Sequence, residues 1–319
     1  MKVAIQCSSY GERCGINSYT NRLANALSKK GVEVDVFINR PLIEPDIISI
    51  QYEPGIMPPP RLKALLDRFV EPVVLTAHHT NGLDDFYPML DGVVLHDETQ
   101  ILNRKKPWDY VIIPHPGIMY PKKDKDKLRI RLKLPRDKTI IGTAGFITGT
   151  GKRLPSLLEE LLIRLEDDQF LYFITSMWKA GDMGREREMR RIIKKYDKED
   201  QVRIDTEFVT EKMLNNKMQA CDLLFAWNAM PPNMCGGQSG IASDMYCSYT
   251  KLIARQACHF NFILSCDKVI AGRPNPNEFA EDVISLAKDK KELNNIQDPS
   301  FLSWDKQVEK YIEYFEQFL

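Results

Sequence analysis

Residues Cys221-Asp-Leu-Leu-Phe-Ala226 and Cys235-Gly-Gly-Gln-Ser-Gly-Ile-Ala-Ser-Asp-Met-Tyr-Cys-Ser-Tyr-Thr-Lys-Leu-Ile-Ala254 decide the fold class. A short apolar run of strand length (Asp222 to Ala226) leads to a glycine-dense loop, and the loop runs into a helix-length segment, predicted as a helix over Ala242 to Ala257. Backbone N–H groups without partners and the positive end of the helix dipole then converge on one spot, which makes an anion site. Asp244 falls one turn inside the helix, where a carboxylate suits a pair of ribose hydroxyls, so a nucleotide is the natural ligand. The blander account is that Gly236, Gly237 and Gly240 merely turn the chain and let it pack closely, with Ser239 as an ordinary cap. The rest of the chain must choose between them.

Outward from this stretch the same alternation repeats. Val3 to Cys7, Val34 to Ile38, Ile47 to Ile50, Val73 to Thr76, Gly92 to Leu95 and Val111 to Ile113 are each short enough to be buried parallel strands. Helical patterns separate them, such as Ser18 to Lys30, where Tyr19, Leu23 and Leu27 share a face, and Pro60 to Phe69. A second series has strands at Ile140 to Ala144, Phe170 to Ile174, Val202 to Ile204, Asp222 to Ala226 and Phe262 to Cys266. Its helices fall near Leu154 to Leu165, Arg185 to Tyr196, Glu211 to Ala220 and Ala242 to Ala257. Strand–helix alternation of this kind predicts an α/β chain of two Rossmann-like doubly wound domains facing a central cleft. The expected division is an N-terminal domain over 1–120, a C-terminal domain over 121–300 and a terminal helix over 301–319.

Between the two series, residues 121 to 138 are highly charged with a proline near each end, as a connector would be; docking on a membrane surface is the alternative, weakened because Lys and Asp alternate. Arg185 to Lys195 mixes both signs at helical spacing and reads as a solvated face. At the end, Trp304, Val308, Tyr311, Phe315 and Phe318 form one apolar stripe that must cover something, and periodicity alone does not say what.

Composition narrows the function. At 319 residues and 43% hydrophobic, the chain is long enough for two packed cores. Lys+Arg and Asp+Glu are equal at 44 each, so the basic excess of a nucleic-acid binder is missing. The seven cysteines, at 7, 14, 221, 235, 247, 258 and 266, are odd in number and lack C-x-x-C spacing. They read as buried thiols of a reducing compartment, with zinc and disulfides disfavoured. The first strand meets Ser8, Ser9 and Gly11 too soon for a signal-peptide core, and no apolar run is long enough to span a bilayer, so a soluble, cytoplasmic protein is expected.

Several segments, taken in order, resemble a known family. The opening Lys-Val-Ala-Ile-Gln and Gly15-Ile-Asn-Ser-Tyr-Thr-Asn-Arg-Leu-Ala-Asn-Ala-Leu-Ser-Lys-Lys-Gly-Val-Glu-Val34 are similar to the amino-terminal domain of GT-B nucleotide-sugar glycosyltransferases, in the large retaining group typified by sucrose synthases and bacterial mannosyltransferases. The similarity continues through Asp46-Ile-Ile-Ser-Ile-Gln-Tyr-Glu-Pro-Gly55, Pro72-Val-Val-Leu-Thr-Ala-His-His79, Val111-Ile-Ile-Pro-His-Pro-Gly117 and Leu132 to Phe146. In the second half, Cys221 to Ala226 and Gln238-Ser-Gly-Ile-Ala-Ser-Asp244 look like the family's donor-site region. No single piece is specific; the ordered set is.

The resemblance implies a glycosyltransferase of the hexosyl type, moving a sugar from a UDP- or GDP-sugar to the hydroxyl of a carbohydrate, lipid-linked or protein acceptor with retention of anomeric configuration. It implies no cofactor and no metal, an acceptor-side first domain, a donor-side second domain, and a terminal helix that returns to the first. Peripheral membrane contact would fit such acceptors. Lys152, with Arg153 beside it, would neutralise the donor diphosphate as the glycosidic bond breaks. Phe146 stands where the family usually has a further cation. Asp244 matches the second acid of the family's E-x7-E motif, whereas Gly236 replaces the first. Gly15, Gly237, Gln238, Ser239, Gly240 and Ile241 complete the donor side. His78 would lie near the donor's reacting carbon, a place His79 can equally claim, and Glu53 and His79 would face the acceptor. His115 shapes the hinge, while Ser176, Met177, Trp178, Glu207 and Phe208 lie where the base would be read. Since Gly236 and Phe146 both depart from the pattern, a catalytically weak binding or partner subunit is the alternative, and an epimerase on the same scaffold is another.

Overall fold

The computed structural model describes all residues except 13, 102–108, 148–153, 177–182, 231–236 and 297. Its strands form two six-stranded sheets. Contacts divide the chain into one unit of Met1–Pro116, Cys235–Gln238 and Phe301–Leu319, and another of Gly117–Met234 and Ser239–Ser300.

The first unit holds β1 (Lys2–Gln6), α1 (Gly15–Lys29), β2 (Glu33–Phe37), β3 (Ile47–Tyr52), α2 (Pro59–Leu66), β4 (Val73–Ala77), β5 (Gly92–Leu95) and β6 (Tyr110–Ile112). The strands are all parallel in the order β2-β1-β3-β4-β5-β6. Because side chains alternate along a strand, the sheet feeds two cores. Val3, Ile5 and Val74 point into one with Leu23 and Leu27 of α1, while Ala4, Ile48, Ile50 and Leu75 point into the other with Leu62 and Leu65 of α2. That two-sided burial is why the strands read as unbroken apolar runs.

The second unit holds α3 (Lys125–Leu132), β7 (Thr139–Phe146), α4 (Leu154–Arg164), β8 (Gln169–Ser176), α5 (Met183–Lys195), β9 (Val202–Asp205), α6 (Glu211–Gln219) and β10 (Leu223–Ala226). It continues through α7 (Gly240–Tyr246), β11 (Lys251–Arg255), α8 (Asn261–Leu264), β12 (Ile270–Gly272), α9 (Pro276–Lys288) and α10 (Lys290–Asn294). The parallel order is β12-β11-β10-β7-β8-β9. Leu157, Leu158 and Leu161 of α4, Met189 of α5 and Phe279 and Val283 of α9 build its main core against Ile141, Phe173, Phe225 and Ile253.

The last helix, α11 (Trp304–Phe315), lies in the first unit. Val308, Tyr311 and Phe315 of its stripe are fully buried with Tyr19 and Leu23 of α1. The Tyr19 and Tyr311 hydroxyls lie 2.5 Å apart, and the Val93 N–H donates to the Tyr314 hydroxyl at 3.1 Å.

Four expectations are corrected. The helix predicted over Ala242 to Ala257 stops at Tyr246; Tyr249 takes a left-handed φ of 58°, and Lys251–Arg255 is a buried strand paired to β10. A continuous apolar run suits a buried strand as well as a buried helix, so periodicity had no power to separate them. The strand predicted over Phe262 to Cys266 is instead the short helix α8. The charged stretch 121 to 138 is no free connector: Arg129 of α3 is only 5% exposed, and its guanidinium reaches Asp222 at 2.5 Å and the Ala220 carbonyl at 3.0 Å. Lastly, Cys7, Cys14, Cys221, Cys247 and Cys266 are free and buried, but Cys258 is disulfide-bonded. No helix among the described residues is long and apolar enough to cross a membrane.

Candidate active site

In open parallel sheets ligands bind beyond the carboxyl ends of the strands, and the sequence-predicted residues gather at those ends within each unit. In the first unit, Gly15 opens α1 after β1, Glu53 follows β3, and His78 and His79 follow β4. Cys14 caps α1 through its sulfur, which accepts from the Asn17 N–H at 3.3 Å. Among the described residues the Gly15 and Ile16 N–H groups have no hydrogen-bond partner. A Cβ on Gly15 would meet nothing within 4 Å, so the start of this helix is open.

The Glu53 carboxyl is pushed up by burial, against the pull of the Gly55 and Ile56 N–H groups. His78 Nε2 lies 3.0 Å from Gln51 Oε1, and its ring stands edge-on to Tyr19 with centroids 4.6 Å apart, so the imidazole is held inward. Burial, then the neighbouring His96, keep His78 well below the usual histidine range. His79 Nδ1 accepts from the Asn81 N–H at 3.2 Å, and its backbone makes an antiparallel bridge with Gly237.

That bridge explains one glycine of the loop. A Cβ on Gly237 would sit 2.4 Å from the His78 carbonyl oxygen, so only glycine lets the two backbones approach. Gln238 Nε2 reaches Thr99 Oγ1 at 3.4 Å in the same unit. Replacing Gly237 by alanine is therefore expected to cost about 1–3 kcal/mol by overpacking against a backbone atom. Thermal unfolding checks this; an unchanged melting temperature and unchanged proteolysis of the loop would show that the bridge is dispensable.

In the second unit, Ser239, Gly240, Ile241 and Asp244 open α7. Ser239 is the N-cap but its side chain makes no cap bond, and its N–H donates to the His259 carbonyl at 3.1 Å. The Gly240 and Ile241 N–H groups have no partner among the described residues. Asp244 is buried, and its Oδ1 accepts from the Ile118 N–H at 3.0 Å, tying the helix to the start of this unit. Lys152, Arg153, Gly236, Met177 and Trp178 lie outside the described residues. Phe146, at the end of β7, stacks on Phe208 with centroids 6.3 Å apart and planes 22° from parallel.

Arg255 was missed in the sequence. It ends β11, is 6% exposed, and donates to the carbonyls of Asn228, Met230 and Pro274 while lying 4.8 Å over the Trp227 ring. The partners recorded for it among the described residues are carbonyls and a ring rather than a carboxylate, so this buried cation keeps a positive potential at the carboxyl end of the sheet. Once Lys251 to Arg255 is read as a strand, an arginine at its last position is the signal that would have singled it out.

No protein-family model matches the chain, and no curated protein matches it in sequence. Solved structures do match in fold over nearly the whole length, GT-B glycosyltransferases of two parallel sheets with flanking helices among them. Sucrose-phosphate synthase from Thermosynechococcus elongatus matches with a TM-score of 0.77 at 14% identity, covering 99% of this chain and 98% of that one. Anabaena HepE in complex with UDP and glucose matches with a TM-score of 0.77 at 13% identity, covering 99% and 100%. The E. coli trehalose-6-phosphate protein bound with UDP-2-fluoro glucose matches at 0.67 and 11%, covering 100% of both chains.

Proposed function

We propose that the chain is a glycosyltransferase that takes a hexosyl group from a nucleoside diphosphate sugar, of the UDP-glucose kind, to an acceptor hydroxyl with retention of configuration. The observation that carries this is the match of both units together to structures solved with UDP, UDP and glucose, UDP-glucose, or UDP-2-fluoro glucose, at 98% to 100% coverage of this chain and 100% of the matched chain. The open first turns of α1 and α7 and the buried charge of Arg255 support it, since each favours negative charge at the carboxyl end of its own sheet. Lys152 supplies a cation for the diphosphate, and Phe146 with Phe208 offers an aromatic face for the base or sugar.

In this reading the protein positions and stabilises, and the leaving diphosphate itself helps take the acceptor proton on the sugar's own face. Gln51 holds the His78 ring in place, so His78 sets the end of β4, while Glu53 and His79 serve the acceptor. No metal is needed for the transfer, because cations and backbone N–H groups carry the diphosphate charge. A binding or partner subunit is the second reading, favoured by Phe146 stacking where the family has a cation.

Thermal-shift and calorimetric titration with UDP, GDP, ADP and their sugars test the proposal, since a ligand of the folded state stabilises it by mass action. A uridine diphosphate ligand is expected to raise the melting temperature, and Lys152→Ala to weaken its binding by about 1.5–3 kcal/mol, the worth of a charged hydrogen bond. Binding unchanged in that variant would sink the phosphate contact. Binding without donor hydrolysis or transfer would select the subunit reading.

A further inference from the structure

Three adjacent parallel strands of the first unit each lead into a histidine on the carboxyl side of the sheet: His78 directly after β4, His96 directly after β5 and His115 shortly after β6. One ring nitrogen of each lies within 4.8 Å of a ring nitrogen of the other two. The ring centroids are 5.3 Å apart for His78 and His96, 4.9 Å for His96 and His115, and 6.3 Å for His78 and His115. Three imidazoles bound at ~2.05 Å to one tetrahedral ion have their centroids about 5 Å apart.

The hydrogen bonds around the cluster settle which nitrogens carry protons. His96 Nδ1 donates to the Ile113 carbonyl at 2.9 Å and His115 Nδ1 to the Pro116 carbonyl at 3.1 Å. His78 Nε2 donates to Gln51 Oε1, whose amide is oriented in turn by Ser49. Each ring therefore has one N–H fixed by a carbonyl and one lone pair left over: His78 Nδ1, His96 Nε2 and His115 Nε2. A carbonyl on the far nitrogen is the arrangement that orients a metal-binding histidine. His96, only 1% exposed, leaves its Nε2 buried with no hydrogen-bond partner. A buried lone pair without a donor is costly unless something else fills it.

We propose that His78, His96 and His115 bind a divalent transition metal ion, Zn²⁺ by preference, with the fourth position left to water or hydroxide. Imidazole alone, without carboxylates, suits Zn²⁺ and its first-row neighbours and not Mg²⁺ or Ca²⁺. Tyr19, tied to Tyr311, packs against all three rings and supplies the apolar wall. The ion would pin the ends of β4, β5 and β6 to one another. It stands independently of the transferase proposal, since it concerns binding and stability only, and it departs from the absence of metal expected from the sequence.

The test titrates the chelator-stripped full chain with ZnCl₂ and, separately, with CoCl₂. One equivalent of Zn²⁺ is expected to bind and raise the melting temperature, and Co²⁺ to show the intense visible d–d bands of a low-coordinate site. His78→Gln keeps a partner for Gln51, and is expected to weaken Zn²⁺ binding on the order of tenfold or more. His96→Gln should do the same; should that variant fail to fold, His78→Gln and the Co²⁺ spectrum decide the matter alone. Absence of stoichiometric Zn²⁺ binding, an octahedral Co²⁺ spectrum, or Zn²⁺ affinity unchanged in His78→Gln would each overturn the site.

Discussion

Asp222→Ala is expected to destabilise the second unit by about 3–5 kcal/mol, the loss seen when one member of a buried ion pair is removed. Asp222 stands at the head of β10, where its Oδ2 accepts from the Ile140 N–H at 2.8 Å and from Arg129 at 2.5 Å, and its Oδ1 from Lys125 at 3.0 Å. Burial alone would raise this carboxyl; the charges of Lys125 and Arg129 outweigh it and hold the group below the usual aspartate range. The Lys125 contact is worth little, since that side chain is 38% exposed and screened by water. Arg129 is different. With its side chain 6% exposed, it keeps its charge in the variant without the carboxylate that neutralises it. A double substitution, Arg129→Met with Asp222→Leu, removes both charges and is expected to recover most of the loss. Chemical denaturation checks the pair. A loss below about 1 kcal/mol for Asp222→Ala would mean the pair behaves as an exposed one.

The same contact shows where sequence reading stops. The alternation of strand-length and helix-length segments carries the fold because parallel strands buried on both faces must be largely apolar, as the central strands β3, β4, β5, β7, β8 and β10 are, while the edge strands β2 and β9 carry charged residues. Arg129 and Asp222 lie 93 residues apart, inside a stretch whose alternating charges look solvated, so nothing local marks their pairing. The segment after α7 failed for another reason. Lys251 to Arg255 is buried on both sides, its apolar centre Leu252-Ile-Ala254 fits helix and strand periods alike, and the left-handed Tyr249 that ends the preceding turn is a residue with no turn preference. At the site, Gly237 stood out as a glycine, but the backbone that requires it comes from His78, far away in the chain. The histidines were closer to legible. Thr-Ala-His78, Val-Val-Leu-His96 and Ile-Ile-Pro-His115 each end an apolar run of strand length, and only the sheet order β4-β5-β6 was needed to see that the three side chains meet.

In protein freed of metal by a chelator, those histidines should make stability fall steeply as the pH drops from 6.5 toward 4. All three are held below the ordinary histidine value, His96 down to about 4, chiefly because burial penalises the charged ring and, for His78 and His115, also because a neighbouring imidazolium would face it. Above pH 6.5 the rings are neutral in folded and unfolded chains alike, so nothing is lost there. Below it the unfolded chain takes up protons that the folded chain refuses, and stability declines until the folded value is passed. For His96 alone, the interval from 6.5 to about 4 corresponds to about 3 kcal/mol. His78 and His115 add to that in the same direction. The carboxylates of Asp205 and Asp222, held low by their cationic partners, contribute loss only as the pH falls through and below their ordinary range near 4, so the two effects separate along the pH axis. Unfolding free energies measured from pH 7.5 to 4.5 should therefore slope downward in the wild type and less so in His78→Gln, which has one ring fewer to charge. A flat profile down to pH 5 would mean that water reaches the rings and that the cluster is not the closed, neutral group the structure shows.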